Sequence, residues 1–370
     1  MKVAVIADIH LGGRESSLDF DDYFCSFFRN VFFPIIKERN IKKVVIAGDL
    51  FDRRKYVNYL ILSRSIDYFF NPLRNNYVDV DVILGNHDVF YRESNSINSS
   101  DLLLQSYKNI HVFKDAQDVI IDGKSFFYFP WVNKENKEET MKAIQESKAE
   151  YAFGHVGFTG FYRDKHTIDD NGSKENLVDA ADFKKFKHVW TGHYHHKSTK
   201  DDITYLGSPY EFTWVDYNDP KGFHIFDTET AELEWIRNYS SMHQTIEYDE
   251  NDIKELMEDL PEDWSAPYKK KMVKVKVVNR KNYTLFDDFI DKLSTKATPL
   301  KLDIIDEEVL SLNENSTSIL EQHQIIETDT LRTSLNYVDS IKEIPDQIDR
   351  DVLKTELDIL YKKSTKTSEE

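Results

Sequence analysis

Cysteine is almost absent from this chain of 370 residues, in which Cys25 is the single example. No disulfide can form within the chain, and such usage is typical of a reducing compartment. Long apolar runs are missing as well, because no stretch approaches the roughly 18 consecutive apolar residues of a membrane span. The sequence therefore predicts a soluble, cytoplasmic protein with no membrane association.

Basic residues are also in short supply. The chain has 48 lysines and arginines against 66 aspartates and glutamates, which gives a net charge of −18. This balance argues against unspecific binding to nucleic acid, although it leaves room for a local basic groove. Aromatic residues, by contrast, make up 13% of the chain, enough for a substantial core. The length exceeds one typical domain, so we expect a large domain with appendages.

Polar residues follow an apolar, strand-like run at five places along the chain. The runs cover 3–7, 44–47, 82–84, 151–153 and 189–191, and the side chains that follow them are Asp8 and His10, Asp49, Asn86 with His87 and Asp88, His155, and His193 with His195. Open α/β sheets bind their ligands beyond the carboxyl ends of strands. The order and placement of the five motifs thus predict one polar site, with Asp49 at its centre.

The side chains of this predicted site are carboxylates, imidazoles and one amide, with no thiolate. Such a mixture suits two divalent transition ions, such as Mn²⁺, Fe²⁺ or Zn²⁺, better than Ca²⁺ or a structural zinc. Two ions about 3.5–4 Å apart need a shared ligand, and a carboxylate has two oxygens with which to bridge them. Such a pair lowers the pKa of a bridging water and clamps phosphate oxygens, which favours hydrolysis of a phosphoester.

Strands and helices alternate up to about residue 240, as in a layered α/β domain. Residues 223–236 predict a closing hairpin, and a smaller β-α-β-α-β pattern follows, in which Lys274 and Lys276 alternate with valines and form a basic face. The predicted organisation is a main domain at 1–240, a small α+β domain at 241–310, a linker at 311–330, two short amphipathic helices at 331–363 and a polar tail at 364–370. The two helices need a surface to dock on, either on a partner or on the chain's own main domain.

The five motifs resemble those of the calcineurin-like metallophosphoesterases. Within this family, the chain is most similar to the nuclease subunits of SbcCD-type DNA-end-processing complexes, with the T-even-type bacteriophage branch as the nearest likeness. The likeness extends over nearly the whole chain and includes Gly207, Ser208 and Pro209 after the last motif. It implies a two-sheet α/β sandwich with a small α+β capping domain and a C-terminal helix pair.

The resemblance also implies a role for each site residue. One metal would be held by Asp8, His10, Asp49 and His195, and the second by Asp49, Asn86, His155 and His193. His87 matches the family's catalytic histidine, which is not a ligand, and Asp88 would orient His87 through a hydrogen bond. His196 matches no position of the motif and is left unassigned. The chain has Asp52 where archaeal and eukaryotic relatives have a histidine linked to exonuclease activity, so that role does not transfer.

The function that the resemblance implies is a Mn²⁺-dependent DNA nuclease. It would act as a 3′-to-5′ exonuclease on duplex ends and as an endonuclease on single strands. Its helices at 331–363 would bind an SbcC-like SMC-family ATPase, and two nuclease subunits would form a homodimer in a two-plus-two complex, within the host cytoplasm if a phage encodes the protein. The small second domain, with Lys274 and Lys276, would help to hold duplex DNA.

Two alternatives belong to other functional classes. The run from Gly48 to Arg53 also approaches a motif of the protein phosphatases, but those enzymes have glycine in place of Arg54 and glutamate in place of Asp88. A catalytically inactive DNA-end scaffold is the other alternative. Against it, every predicted ligand position carries a residue that can bind metal.

Overall fold

The computed structural model describes residues 1–169, 178–253 and 263–306, together with Lys354. In chain order its strands are β1 (Lys2–Ile6), β2 (Lys43–Ala47), β3 (Asp79–Ile83), β4 (Val89–Tyr91), β5 (Ser94–Asn98), β6 (Ile110–Phe113), β7 (Gln117–Ile121), β8 (Lys124–Phe129), β9 (Tyr151–His155), β10 (His188–Gly192), β11 (Ser198–Lys200), β12 (Ile203–Tyr205), β13 (Lys221–Asp227), β14 (Leu233–Asn238), β15 (His243–Asp249), β16 (Met272–Asn279) and β17 (Lys301–Asp306). The helices are α1 (Leu18–Phe27), α2 (Phe33–Glu38), α3 (Tyr59–Ser65), α4 (Asn71–Asn75), α5 (Ser99–Leu104), α6 (Lys137–Glu146) and α7 (Tyr283–Ala297).

Two six-stranded sheets form the main body of the described chain. Their strand orders are β14-β13-β1-β2-β3-β6 and β11-β12-β10-β9-β8-β7. In the first sheet β1, β2, β3 and β6 run parallel, and in the second β8, β9, β10 and β12 do so. The central strands β1, β2, β9 and β10 are buried on both faces, which explains why they read as continuous apolar runs in the sequence.

The two sheets pack face to face, and aromatic side chains fill the space between them. Val5 and Val45 of the first sheet share one core with Phe126, Phe153 and Trp190 of the second. Separate cores lie on the outer faces, where helices cover each sheet. The structure is therefore an α/β sandwich of two sheets, as the resemblance implied. The carboxyl ends of its central strands bring the predicted motifs to one edge.

The aromatic segment from Leu18 to Glu38 is helical and is divided in three. Helix α1 passes into a π-helical turn at Phe28–Phe32, and α2 then starts with Pro34 in its first turn. Proline is tolerated there because the amide hydrogens of a first turn have no partner within the helix. A second π-helical turn, Ile66–Phe70, joins α3 to α4 in the same way, with Pro72 in the first turn of α4.

The predicted hairpin is present at the edge of the first sheet. Strands β13 and β14 pair antiparallel, and β13 also pairs antiparallel with β1. This pairing places Lys221, the first residue of β13, next to His195 in the segment that follows β10. The hairpin therefore brings this lysine close to the site that is described below.

A three-stranded parallel sheet, β15-β16-β17, follows the main body and packs with α7 around its own apolar core. The valines of β16 are buried, as predicted. Lys274 of the basic face, however, turns toward the main body, since its ammonium lies 3.9 Å from the centre of the Trp214 ring. Tyr217 and Thr245 are hydrogen-bonded across the same junction, at 2.6 Å.

Several predicted elements fall outside the described residues. They are most of the first helix of the small domain, the linker at 311–330, the helix pair at 331–363 apart from Lys354, and the tail at 364–370. Among the residues that are described, no helix has the length and apolar character needed to cross a bilayer.

Candidate metal centre

The first two motifs meet through their backbones at the carboxyl ends of β1 and β2. The Asp8 amide donates to the Gly48 carbonyl at 3.1 Å, and the His10 amide donates to the Asp49 carbonyl at 2.9 Å. Asp8, His10 and Asp49 have left-handed φ angles of 53°, 47° and 51°. The chain is therefore not extended at Asp8 and His10, as it would be if β1 continued. Such left-handed conformations are costly for residues with a side chain and are found where a site requires them.

Asp49 lies at the centre of the convergence. Its Oδ2 is 3.5 Å from His10 Nε2 and 3.4 Å from His155 Nε2. Its other oxygen, Oδ1, accepts the backbone amide of His87 at 2.8 Å. The carboxylate thus stands between a histidine of the first sheet and a histidine of the second. This is the position that a bridging ligand between two metal ions requires.

Asn86 joins the two histidines on one side of Asp49. Its Oδ1 is 3.0 Å from His155 Nε2 and also 3.0 Å from His193 Nδ1. The other nitrogen of His155, Nδ1, is 3.0 Å from the Ala47 carbonyl. A backbone acceptor at that nitrogen fixes the ring so that Nε2 faces the site, as is usual for a metal-binding histidine.

His10 and His195 meet on the other side, where their Nε2 atoms are 3.1 Å apart. Asp8 connects the two halves of the site, because its Oδ1 accepts the His193 backbone amide at 3.0 Å. Ligand atoms of Asp8, His10 and His195 lie within 4.8 Å of one another, and so do those of Asp8, Asp49 and His155.

Glycine is required at two turns because other chain segments approach them closely. A Cβ at Gly85 would lie 2.1 Å from Asp49 Oδ1 and 2.3 Å from the Asp49 amide nitrogen. At Gly48, where φ is +87°, a Cβ would lie 2.1 Å from His155 Nδ1. The two glycines therefore let the motifs of both sheets reach one point.

Burial controls the charge of the site histidines. It lowers the pKa of both His193 and His195 to about 3, so these imidazoles are neutral and available as ligands. Burial acts in the same direction on His10 and His155, but neighbouring carboxylates outweigh it and raise the pKa of both to about 9. These two histidines therefore hold protons that a bound metal ion must displace.

The predicted hydrogen bond from Asp88 to His87 is wrong. Both Asp88 oxygens accept backbone amides instead, from Phe51 at 3.1 Å and from Gly85 at 2.8 Å. Asp88 is fully buried, and burial together with the nearby charge of Asp49 raises the pKa of its carboxyl to about 7. Its observed contacts tie the second motif to the third.

The residue that orients His87 is Asp52, through its backbone. The Asp52 carbonyl oxygen lies 2.6 Å from His87 Nδ1. The Asp52 side chain faces a different ring, with its Oδ1 3.4 Å from His10 Nδ1. Sequence reasoning left this residue without a role. The sequence feature that could have indicated a role for Asp52 is the histidine that archaeal and eukaryotic relatives have at this position.

Two aromatic residues of the site were not predicted. The Trp131 ring lies 5.4 Å from that of His193, and the Phe212 ring lies 5.2 Å from that of His195. Both are buried and pack against one side of a histidine ring of the site. The aromatic run at 126–131 is the sequence feature from which Trp131 could have been identified.

The donor atoms present fit a pair of divalent ions. Oxygen and imidazole nitrogen atoms converge from five segments at 3.0–3.5 Å, around one carboxylate with two oxygens. The set suits borderline transition ions, since it mixes imidazole with oxygen donors and contains no thiolate. The site can hold divalent metal.

Sequence comparison agrees with this site. The model of the family described as "Calcineurin-like phosphoesterase" matches residues 1–197, which include all five motifs. The chain belongs to the calcineurin-like phosphoesterase family.

Three curated proteins are similar to it. Exonuclease subunit 1 of Enterobacteria phage T4 is 33% identical over 212 residues, which are 57% of this chain and 60% of the phage protein. The SbcD component of nuclease SbcCD from Staphylococcus epidermidis is 24% identical over 269 residues, 63% of this chain and 67% of that protein. The DNA double-strand break repair protein Mre11 of Nanoarchaeum equitans is 24% identical over 251 residues, 61% of this chain and 66% of that protein. The chain thus spans about two thirds or less of each relative.

Proposed function

We propose that this chain is a Mn²⁺-dependent DNA nuclease that hydrolyses phosphodiester bonds with two metal ions. It degrades duplex ends from 3′ to 5′ and cuts single strands. The observation that carries the proposal is the placement of the Asp49 carboxylate between His10 and His155, at 3.5 Å and 3.4 Å. The names of the three relatives, all of which refer to nucleases or to DNA-break repair, support DNA as the substrate.

The proposed ligands divide into two sets that share Asp49. Asp8, His10 and His195 complete the first, and Asn86, His155 and His193 complete the second. Two ions held there would lower the pKa of a bridging water and clamp the phosphate oxygens.

His87 is the proposed general acid. Its backbone amide is held by Asp49 Oδ1 at 2.8 Å, and its Nδ1 is held by the Asp52 carbonyl at 2.6 Å. Nε2 is therefore the ring atom left to give a proton to the leaving oxygen. Burial lowers the pKa of His87, so its protonated form releases that proton readily.

One substrate comparison separates the nuclease from the alternative protein phosphatase. The purified chain is incubated with labelled linear duplex, single-stranded DNA and a phosphopeptide, each with and without Mn²⁺. We expect Mn²⁺-dependent cleavage of both DNA substrates and none of the phosphopeptide. Dephosphorylation of the peptide without cleavage of DNA would overturn the nuclease proposal. If none of the three substrates is hydrolysed, an inactive scaffold is favoured instead.

We further propose that residues 241–310 act as a capping domain against DNA and that 331–363 bind an SbcC-like SMC-family ATPase, tethered by the linker at 311–330. The amphipathic pattern of 331–363 supports this partner. Deleting residues 331–370 should leave basal nuclease activity intact and abolish recovery of the ATPase in a pull-down. Recovery at the level of the intact chain would contradict the proposed binding segment.

A homodimer is the proposed state of the nuclease subunit. Large apolar side chains stand exposed on α3, where Tyr59 is 87% and Leu60 55% accessible, and such exposure is typical of an interaction surface. Leu60→Glu should convert dimer to monomer in sedimentation experiments. Ile120→Glu is the matched control, since Ile120 is 66% exposed but lies on the edge strand β7. The Ile120→Glu variant should remain dimeric. A dimeric Leu60→Glu variant would contradict this surface.

A further inference from the structure

His195 lies in a chain segment that no sheet supports. Strand β10 ends at Gly192, and the residues from 193 to 197 form no strand. Two donors hold the His195 backbone carbonyl instead: the Lys221 ammonium at 2.8 Å and the Ser208 amide at 3.1 Å. The backbone position of this proposed ligand therefore depends on residues from outside its own motif.

Lys221 is the charged member of these donors and is almost completely buried. Its side chain is 3% exposed, and its Nζ contacts Asp216 at 2.7 Å and Asp219 at 2.8 Å. With the His195 carbonyl, these contacts use all three hydrogens of the ammonium group. Asp219 also reaches the next residue, since its other oxygen is 2.8 Å from His196 Nδ1. The cluster formed by Lys221, Asp216 and Asp219 thus contacts the chain at both His195 and His196.

Stability alone is a weak reason for such a cluster. Burying three charged groups costs several kcal/mol per ion, and apolar residues of similar volume are often as stable. A similar cluster elsewhere in the first sheet provides a comparison. Lys43 at the start of β2 pairs with Asp79 and with Asp81, the latter at 2.6 Å, and it contacts no residue of the metal centre.

We propose that Lys221 is a positioning residue, which holds His195 where it can bind the first metal ion. Asp216 and Asp219 fix the direction of the ammonium group, and the ammonium fixes the His195 carbonyl. The inference rests on the two-metal function proposed above and adds a residue to it. Partners that position a metal ligand are typically worth about 10- to 100-fold in metal affinity when removed.

The test measures Mn²⁺ binding by equilibrium dialysis, without substrate. The wild-type protein, Lys221→Met and the matched control Lys43→Met are compared at the same pH and salt concentration. We expect two bound ions for the wild type and for Lys43→Met. In Lys221→Met, one ion should bind as in the wild type and the other at least about tenfold more weakly.

Lys221→Met leaves two buried carboxylates without a counter-charge, which can prevent folding. The triple variant Lys221→Met, Asp216→Asn, Asp219→Asn removes those charges and still lacks the donor to His195. Circular dichroism checks that it folds. Its loss of affinity for one ion should match that of Lys221→Met.

A His195→Ala background separates positioning from general destabilisation. If Lys221 acts through His195, then Lys221→Met added to His195→Ala lowers Mn²⁺ affinity no further. An additional loss in that background, or two ions bound by the folded triple variant at wild-type affinity, would overturn the inference. Fewer than two ions on the wild type would instead refute the proposed two-metal function.

Discussion

Replacing Gly85 by alanine perturbs the centre of the site without changing any proposed ligand. A Cβ at this position would lie 2.3 Å from the Asp49 amide nitrogen, whereas ordinary contacts of a Cβ begin at 3.4 Å. One of the two segments must therefore move by about 1.1 Å, the difference between these distances. Asp49 cannot move freely, because its carbonyl accepts the His10 amide and its carboxylate accepts the His87 amide.

We expect two effects of Gly85→Ala. Overpacking of this kind typically costs about 1–3 kcal/mol of folding free energy. A displacement of about 1 Å at a reacting centre can cost roughly 100-fold in rate. Thermal unfolding measures the first effect, and Mn²⁺ binding together with cleavage of linear duplex DNA measures the second.

Gly123→Ala is the control for lost stability alone. Nothing lies within 4 Å of a Cβ at Gly123, but its φ of +77° is unfavourable for alanine. The cost should be about 1–2 kcal/mol, similar to that of Gly85→Ala, with metal binding and cleavage unchanged. If Gly85→Ala binds Mn²⁺ as tightly as Gly123→Ala and cleaves DNA as fast, the proposed convergence on Asp49 is refuted.

Three further predictions concern the histidines and their partners. His87→Ser should keep both Mn²⁺ ions but lower turnover by about 10²–10⁴-fold, because it removes the proposed acid; unchanged turnover would show that the acid is another group. Asp52→Ala should weaken Mn²⁺ binding by about 10–100-fold through loss of the contact with His10, and it should shift the pH profile set by His87 to lower pH, because the Asp52 charge raises the pKa of His87; an unchanged affinity for Mn²⁺ would contradict the role of this contact. The pKa values of His10 and His155 are raised to about 9, so protons compete with metal for these side chains below that pH. The Mn²⁺ affinity measured by calorimetry should therefore fall as the pH decreases from about 9. A constant affinity would contradict protonation of these two histidines.

The sandwich and the gathering of the motifs were predictable from the sequence for one physical reason. Parallel strands buried on both faces read as continuous apolar runs, and their carboxyl ends meet at one edge of a sheet. Asp49 and Asn86 follow such runs in neighbouring strands of the first sheet. His155 and His193 do so in the second, and the apolar runs of both sheets form the core between them.

Contacts made through the backbone or across long sequence distances were not predictable. The Asp52 carbonyl that orients His87 leaves no trace in the sequence, because every residue has a carbonyl group. Asp88 was assigned to His87 from its adjacency and the pattern of the motif, but the turn directs its carboxylate to Phe51 and Gly85. Lys221 lies 26 positions from His195 and reaches it only because β13 pairs with β1.

The direction of the basic face in the small domain also depended on tertiary packing. Alternation along β16 correctly predicted that one side is buried and the other carries lysines. It could not indicate that Trp214 of the main body covers Lys274. Lys274 is therefore engaged at the domain junction, and a role in holding DNA must fall to other residues.

The number of Mn²⁺ ions bound per chain, with and without the Asp49 carboxylate, tests the central claim most directly. Asp49 stands between His10 and His155, so Asp49→Ala removes a ligand from both proposed metal positions at once. Equilibrium dialysis should find two ions on the wild-type chain and a loss of tight binding of both on the folded variant. A wild-type chain that binds fewer than two ions, or a variant that keeps either ion at wild-type affinity, would contradict the account.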